Sequence, residues 1–177
     1  MPMLNLLIEH RSFFLKSGRI LLMATFSGDW SALEGRFAIV AARFNGLVVE
    51  ALLDGCLDGF SKVGVAADRL DVAWVPGSFE IPLTAKTLAA SGRYAAVVCL
   101  GCVIRGETGH YDHVASGVAS GILHAGLETN VPVIFGVLTT DTVEQALNRS
   151  GLKSGNKGSE AALAAVEMVN VLKKIKG

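Results

Sequence analysis

Four short apolar runs limit the fold of this chain more than any other feature: Phe37 to Ala42, Leu70 to Val75, Ala95 to Gly101 and Val133 to Leu138. They are rich in Val, Ile and Ala and lack clean polar alternation. A strand with one wet face alternates, whereas a strand covered on both faces reads as a nearly continuous apolar run. Helix-length segments lie between the runs, at Leu47 to Val63, Phe79 to Ala90 and Val114 to Glu128. Regular alternation of strand and helix predicts an α/β parallel sheet with right-handed crossovers and helices on both faces. Asp141-Thr142-Val143-Glu144 pairs an N-cap residue with an acid three positions later, which predicts a capping box opening another helix and gives both carboxylates structural roles. A last helix, about Ser159 to Lys174, sets Ala162, Ala165, Val166, Val169 and Leu172 on one stripe.

Composition narrows the functional classes. Half of the 177 residues are hydrophobic (51%), and the mean hydropathy of +0.46 is high for a small monomer, so the excess apolar surface predicts an oligomer interface. The longest apolar stretches, such as Val131 to Leu138 and Ala161 to Val166, fall short of the ~20 residues needed to span a bilayer, so no membrane partner is expected. Lys plus Arg (16) balance Asp plus Glu (16), and no basic stripe with interleaved aromatics is present, which argues against nucleic acid as a partner. The length suits one domain, and no linker, repeat or low-complexity tract divides it. Residues 1–30 are read as an N-terminal extension, an over-long start or a disordered lead, and residues 31–177 as the domain. The alternative for the extension is a transit peptide, since Arg11, Lys16 and Arg19 face one acid, Glu9.

Three cysteines, Cys56, Cys99 and Cys102, include a C-x-x-C spacing. Cys99 lies within an apolar strand and not at a helix start, and no second pair exists. Small buried residues are therefore the better reading than redox or zinc chemistry, and such thiols fit a cytoplasmic setting.

The sequence from Ala95 to Val114, AAVVCLGCVIRGETGHYDHV, carries the strongest functional signal. Open parallel sheets bind ligands beyond the carboxyl ends of their strands, near helix N-termini whose free N–H groups attract anions. A titratable His110 at that handover is a catalytic candidate. Gly101 to Thr108 also has the spacing of a P-loop, but Glu107 stands where a lysine would neutralise the phosphates, so nucleotide triphosphate binding is excluded. Backbone N–H groups around Gly106 to Thr108 remain able to hold one phosphate. A second phosphate candidate is Arg149, with Lys153 and Lys157 around the Gly-containing turns of NRSGLKSGNKG; a guanidinium grips phosphate bidentately. His113 could suggest a metal pair with His110, but no third ligand is near in sequence, and a surface or packing role is expected. His10 and His124 belong to no constellation.

Together with Arg43-Phe44-Asn45, Pro76-Gly77-Ser78-Phe79-Glu80-Ile81-Pro82, Phe135-Gly136-Val137-Leu138-Thr139-Thr140 and the NRSG…GNKG segment, GETGHYDHV makes a set of motifs in register over about Arg36 to Lys174. Their order and spacing closely resemble the lumazine synthase family of riboflavin biosynthesis. The resemblance implies a flavodoxin-like three-layer αβα sandwich with a four-stranded parallel sheet, forming homopentamers that in many members close into hollow sixty-subunit icosahedral shells. It implies a transferase reaction joining 5-amino-6-(D-ribitylamino)uracil to 3,4-dihydroxy-2-butanone 4-phosphate, with no metal or redox cofactor. Phe44 would stack on the pyrimidine, Ser78, Phe79 and Glu80 would engage the ribityl chain, and Cys102, Val103 and Ile104 would offer backbone groups to the uracil edge. Glu107, Thr108 and Arg149 match the phosphate-binding positions, and His110 matches the proton-transfer residue. Phe135 and Arg149 would come from a neighbouring subunit, and riboflavin synthase is a further partner the family suggests. Asn148 departs from the acid that many relatives have beside Arg149. The competing expectation is a catalytically silent shell-forming or flavin-binding relative.

Overall fold

The computed structural model describes residues 11–16, 19–30 and 35–177. Strands β1 (Arg11–Lys16) and β2 (Arg19–Ala24) form an antiparallel hairpin in which Arg11 pairs with Ala24 and Lys16 with Arg19. The first strand expected from the sequence is Phe37 to Ala42, so this hairpin is an addition to that reading. Beyond the hairpin, the chain is tied to the end of the domain. The Asn170 amide donates to the Asp29 backbone carbonyl (2.9 Å) and carboxylate (3.0 Å), and Lys174 pairs with Asp29 at 2.9 Å.

The expected α/β fold is present. Strands β3 (Arg36–Ala42), β4 (Leu70–Val75), β5 (Tyr94–Ile104) and β6 (Val133–Thr140) make one parallel sheet in the order β4-β3-β5-β6. Counted within the sheet this is 2-1-3-4, the flavodoxin-like order with its switch point between β3 and β5. Five helices follow: α1 (Gly46–Lys62), α2 (Ile81–Ala90), α3 (His110–Thr129), α4 (Val143–Arg149) and α5 (Lys157–Lys176).

The alternation of β3 shows why its sequence lacks polar residues. Phe37, Ile39 and Ala41 join Leu52 and Phe60 of α1 and Ala162 and Val166 of α5 on one side. Ala38, Val40 and Ala42 meet Ile81 and Ala85 of α2 and Val118 and Ile122 of α3 on the other. Successive side chains of a strand point to opposite faces, so a strand between two helical layers must be apolar throughout. The same rule separates the two C-x-x-C cysteines. Cys99 belongs to the α2/α3 side and Cys102 to the α1/α5 side, so they cannot bridge. All three thiols are buried, and burial pushes Cys56 up to about 12 and Cys102 up to about 11, which leaves them protonated and inert.

The predicted cap before α4 shifts by one residue. Thr142 is the N-cap: its hydroxyl accepts from the Gln145 N–H (3.2 Å), while the Gln145 side chain accepts from the Asp141 N–H (2.9 Å). Asp141 and Glu144 do not form the capping box, because the Asp141 carboxylate is engaged by Arg105. The cap of α5 does more. Asn156 accepts from the N–H groups of Gly158 and Ser159 and donates to the carbonyls of Ala51 and Ser150, both at 2.8 Å, which joins α5 to α1 and to the end of α4.

Candidate active site

Three strand ends and the helix starts after them form one cavity of about 610 Å³ beyond the carboxyl edge of the sheet. Phe44 and Asn45 come from the turn after β3. Asn45 takes a left-handed backbone (φ 58°), a conformation an asparagine tolerates better than most residues. Its side-chain amide donates 2.9 Å to the Cys102 carbonyl. This bond fixes the turn against β5 and leaves Phe44, 70% exposed, standing at the cavity.

Gly77, Ser78, Phe79 and Glu80 come from the segment after β4, where Ser78–Glu80 forms one 3-10 turn before α2. Ser78 is buried because β5 comes close at Gly101, where an added Cβ would lie 2.7 Å from the Ser78 hydroxyl. Phe79 is 60% exposed and lies over α3 at Gly117, where a Cβ would approach its ring to 2.6 Å. Gly117 therefore sets the position of an aromatic wall. The side chain of Glu80 makes no hydrogen bond or ion pair among the described residues, so its carboxylate is free to accept bonds from hydroxyl groups.

Strand β5 runs three residues past the apolar run, since Cys102, Val103 and Ile104 pair with Leu138, Thr139 and Thr140 of β6. All three line the cavity. The loop Arg105 to Gly109 follows, and α3 begins at His110, four residues before the predicted start. Gly109 offers no side-chain cap, so the first N–H groups of this long helix face the loop with the positive end of its dipole. Thr108 and His110 line the cavity. His113, expected at the surface or in packing, lies one turn along α3 and lines it too, as does Tyr111. Glu107 is exposed and stands outside the lining residues.

The remaining two predicted residues lie elsewhere in the chain. Phe135 and Arg149 line a second cavity of about 520 Å³ along the edge strand β6, with Gln145 and Lys157. The two cavities have no lining residue in common. Arg149 is exposed and makes no hydrogen bond or ion pair among the described residues, whereas Lys157 pairs with Glu160. Lys153 lines neither cavity. Among the described residues, no three His, Cys, Asp or Glu side chains are grouped to hold a metal ion, and no helix is long and apolar enough to cross a membrane.

Residues 34–173 match the family model described as 6,7-dimethyl-8-ribityllumazine synthase. The chain belongs to that family. The match begins just ahead of β3 and ends within α5, so it takes in the whole parallel sheet and both cavities. As a lumazine synthase family member, the chain has a transferase-type domain of riboflavin biosynthesis. Six lining residues fall outside the expected site residues: Asn45, Gly77, Gly106, Tyr111, His113 and Val114. Asn45 stood inside a quoted motif, and a signal existed for it, since asparagine directly after a strand suits a left-handed turn. For Tyr111 and His113 the missing information was that α3 starts at His110.

Proposed function

We propose that this chain condenses 5-amino-6-(D-ribitylamino)uracil with 3,4-dihydroxy-2-butanone 4-phosphate to form 6,7-dimethyl-8-ribityllumazine, releasing phosphate and water. The observation that carries this reading is one cavity that gathers an exposed aromatic ring (Phe44), an unpaired carboxylate (Glu80), the polar backbone of a strand end (Cys102–Ile104) and an imidazole (His110). Phe44 supplies a stacking face for a flat heterocycle, and Glu80 and Ser78 suit a polyol. The N-terminus of α3 and the neighbouring N–H groups around Thr108 suit a phosphate.

The chemistry explains the histidine. Attack of the 5-amino nitrogen on the ketone carbon gives a carbinolamine, which loses water to form an imine. Removal of a carbon-bound proton then allows phosphate to leave. After tautomerisation, attack by the ribityl-bearing nitrogen on the remaining carbonyl closes the ring with loss of a second water. Each step moves a proton, and an imidazole can both accept and donate one.

Phe135 and Arg149 enter this scheme from a neighbouring copy. Their place in a separate cavity supports that reading, as do exposed apolar side chains such as Leu83, Leu123 and Leu127, which an interface would cover. The assembly is then a cyclic homopentamer, built by head-to-tail contacts, with one site at each interface. We assign it to the cytoplasm, where three free buried thiols are at home.

An absorbance assay for lumazine formation tests the reaction on the parent chain and on His110→Ala and Arg149→Ala. The expected result is a parent rate above the spontaneous background with both variants impaired and still oligomeric. An intact parent oligomer that gives only the background rate overturns the catalytic reading and leaves a shell or flavin-carrier role.

A further inference from the structure

The loop between β5 and α3 carries the phosphate-facing Thr108 and delivers His110, yet it has almost no support of its own. Its residues are exposed, and a Cβ added at Gly106 or Gly109 would meet nothing within 4 Å. Local bonds are few and long: the His110 N–H donates to the Thr108 hydroxyl at 3.4 Å and the Asp112 N–H to the Gly109 carbonyl at 3.2 Å. A loop without buried contacts samples many conformations unless something outside it fixes its ends.

Arg105 supplies that fixation. Its backbone N–H donates 2.9 Å to the Thr140 carbonyl, extending the β5–β6 ladder by one residue. Its Nε donates 3.0 Å to Asp141 in the turn between β6 and α4, and one terminal nitrogen donates 3.2 Å to Asp112 in the first turn of α3. The guanidinium carbon also lies 4.0 Å from the centre of the Tyr111 ring. Tyr111 and Asp112 immediately follow His110. One rigid cation thus grips both residues next to the imidazole and the turn that leads to α4 and Arg149.

We infer that Arg105 is a positioning residue, clamped by Asp112, Asp141 and Tyr111, that holds the phosphate-facing loop and His110 in register with the β6–α4 turn. Each exposed ion pair alone contributes little. The planar fork nevertheless engages two carboxylates and an aromatic face at once, which a lysine cannot do. The inference rests on the proposed function only for the identity of the ligand, not for the restraint itself. Arg105 touches no reacting group; its effect passes through Thr108 and His110.

The test compares the parent chain with Arg105→Ala, Arg105→Lys and Asp141→Asn, first by amide hydrogen exchange and then by steady-state kinetics with each substrate varied. Exchange is expected to quicken in the Gly106–His113 segment of Arg105→Ala and to stay unchanged in β3 and α1. KM for the butanone phosphate should rise about tenfold, the usual consequence of losing charge-assisted bonds, while KM for the pyrimidine stays within about twofold. Arg105→Lys should recover part of the difference, and adding Asp141→Asn to Arg105→Ala should change nothing further. Unchanged exchange in the loop overturns the inference, as does a loss shared equally by both substrates, which marks a merely structural role. If the parent chain forms no lumazine, the proposed function fails, and hydrogen exchange then decides the restraint alone.

Discussion

At the amino ends of β3, β4 and β5, polar side chains are engaged with one another, whereas at the carboxyl ends those of Glu80 and His110, which line the cavity, are left free. Arg36 holds Asp71 through two nitrogens (2.7 and 3.2 Å) and donates to the Asp68 carbonyl at 2.8 Å, while the Tyr94 hydroxyl donates 2.8 Å to the same Asp71 carboxylate. At the opposite edge Phe44 and Phe79 stand exposed, and the side chains of Glu80 and His110 have no hydrogen-bond partner among the described residues. Both ends belong to the same three strands, so the choice of strand does not make the difference. A group satisfied within the chain stabilises the fold, and one left unsatisfied at a cavity is available to a ligand. Changes at the amino end should therefore alter stability and spare activity, and changes at the carboxyl end should do the reverse.

The largest effect lies at the carboxyl end. His110→Ala should slow lumazine formation by roughly 10²- to 10⁴-fold, the usual size of an acid–base contribution, with no change in thermal midpoint, because the ring is exposed and unpartnered. A mixing experiment makes this sharper. If Arg149 serves the neighbouring site, co-assembling inactive His110→Ala and Arg149→Ala chains restores about one quarter of the sites in a randomly mixed ring. Mixed assemblies no more active than either variant would place both residues in one chain's site and remove the interface from the mechanism.

The contrast between the ends also explains which features could be read from the residues. Two-sided burial writes itself into consecutive residues, so the runs at Phe37 and Ala95 gave the central strands; the runs at Leu70 and Val133 gave the edge strands, with β4 correct at both ends, although Val72, Trp74 and Phe135 stay exposed there. The first cavity was legible in part, since several of its motifs lie at or directly after the carboxyl ends of those strands, whereas Phe135 and Arg149 line the second cavity and Glu107 lines neither. Contacts distant in sequence were not legible. Asp141 reads locally as a helix cap, and only its pairing with Arg105, thirty-six residues away, gives that role to Thr142. The tie between Asp29 and Asn170 spans 141 residues and leaves no periodic trace in either segment. His113 reads as a surface or packing residue because no third metal ligand is near it in sequence; with α3 starting at His110 it lies one turn along the helix and lines the cavity.

A moderate effect is expected at the amino end. Tyr94 is buried and its hydroxyl reaches Asp71, so Tyr94→Phe removes one hydrogen bond to a charged acceptor while keeping the ring. Such a bond contributes about 1.5 kcal/mol, which should lower the thermal midpoint by about 3 to 6 °C in a chain of this size. Lumazine formation at 25 °C should be unaffected. A drop in activity without a drop in midpoint would erase the division between the two ends.

The smallest effect concerns acid. Arg36 first, and then Tyr94, hold the Asp71 carboxyl below the usual carboxylate range. A carboxyl with a depressed folded pKa binds fewer protons folded than unfolded, so its contribution is present above the unfolded value near ~3.9 and is lost as pH falls through the folded value. Asp71 is solvent-exposed, so the contribution is slight. Asp71→Asn should lie slightly below the parent in thermal midpoint at neutral pH, and the two curves should converge as pH falls below about 4. Glu128, held below its ordinary range by Lys86 across the α2–α3 contact, titrates equally in both proteins and cancels from their difference. If the difference between the curves stays constant down to pH 3, Asp71 is not ionised preferentially in the folded chain, and the amino-end network owes its hold to the neutral contacts of Tyr94 and the Arg36 bond to the Asp68 carbonyl.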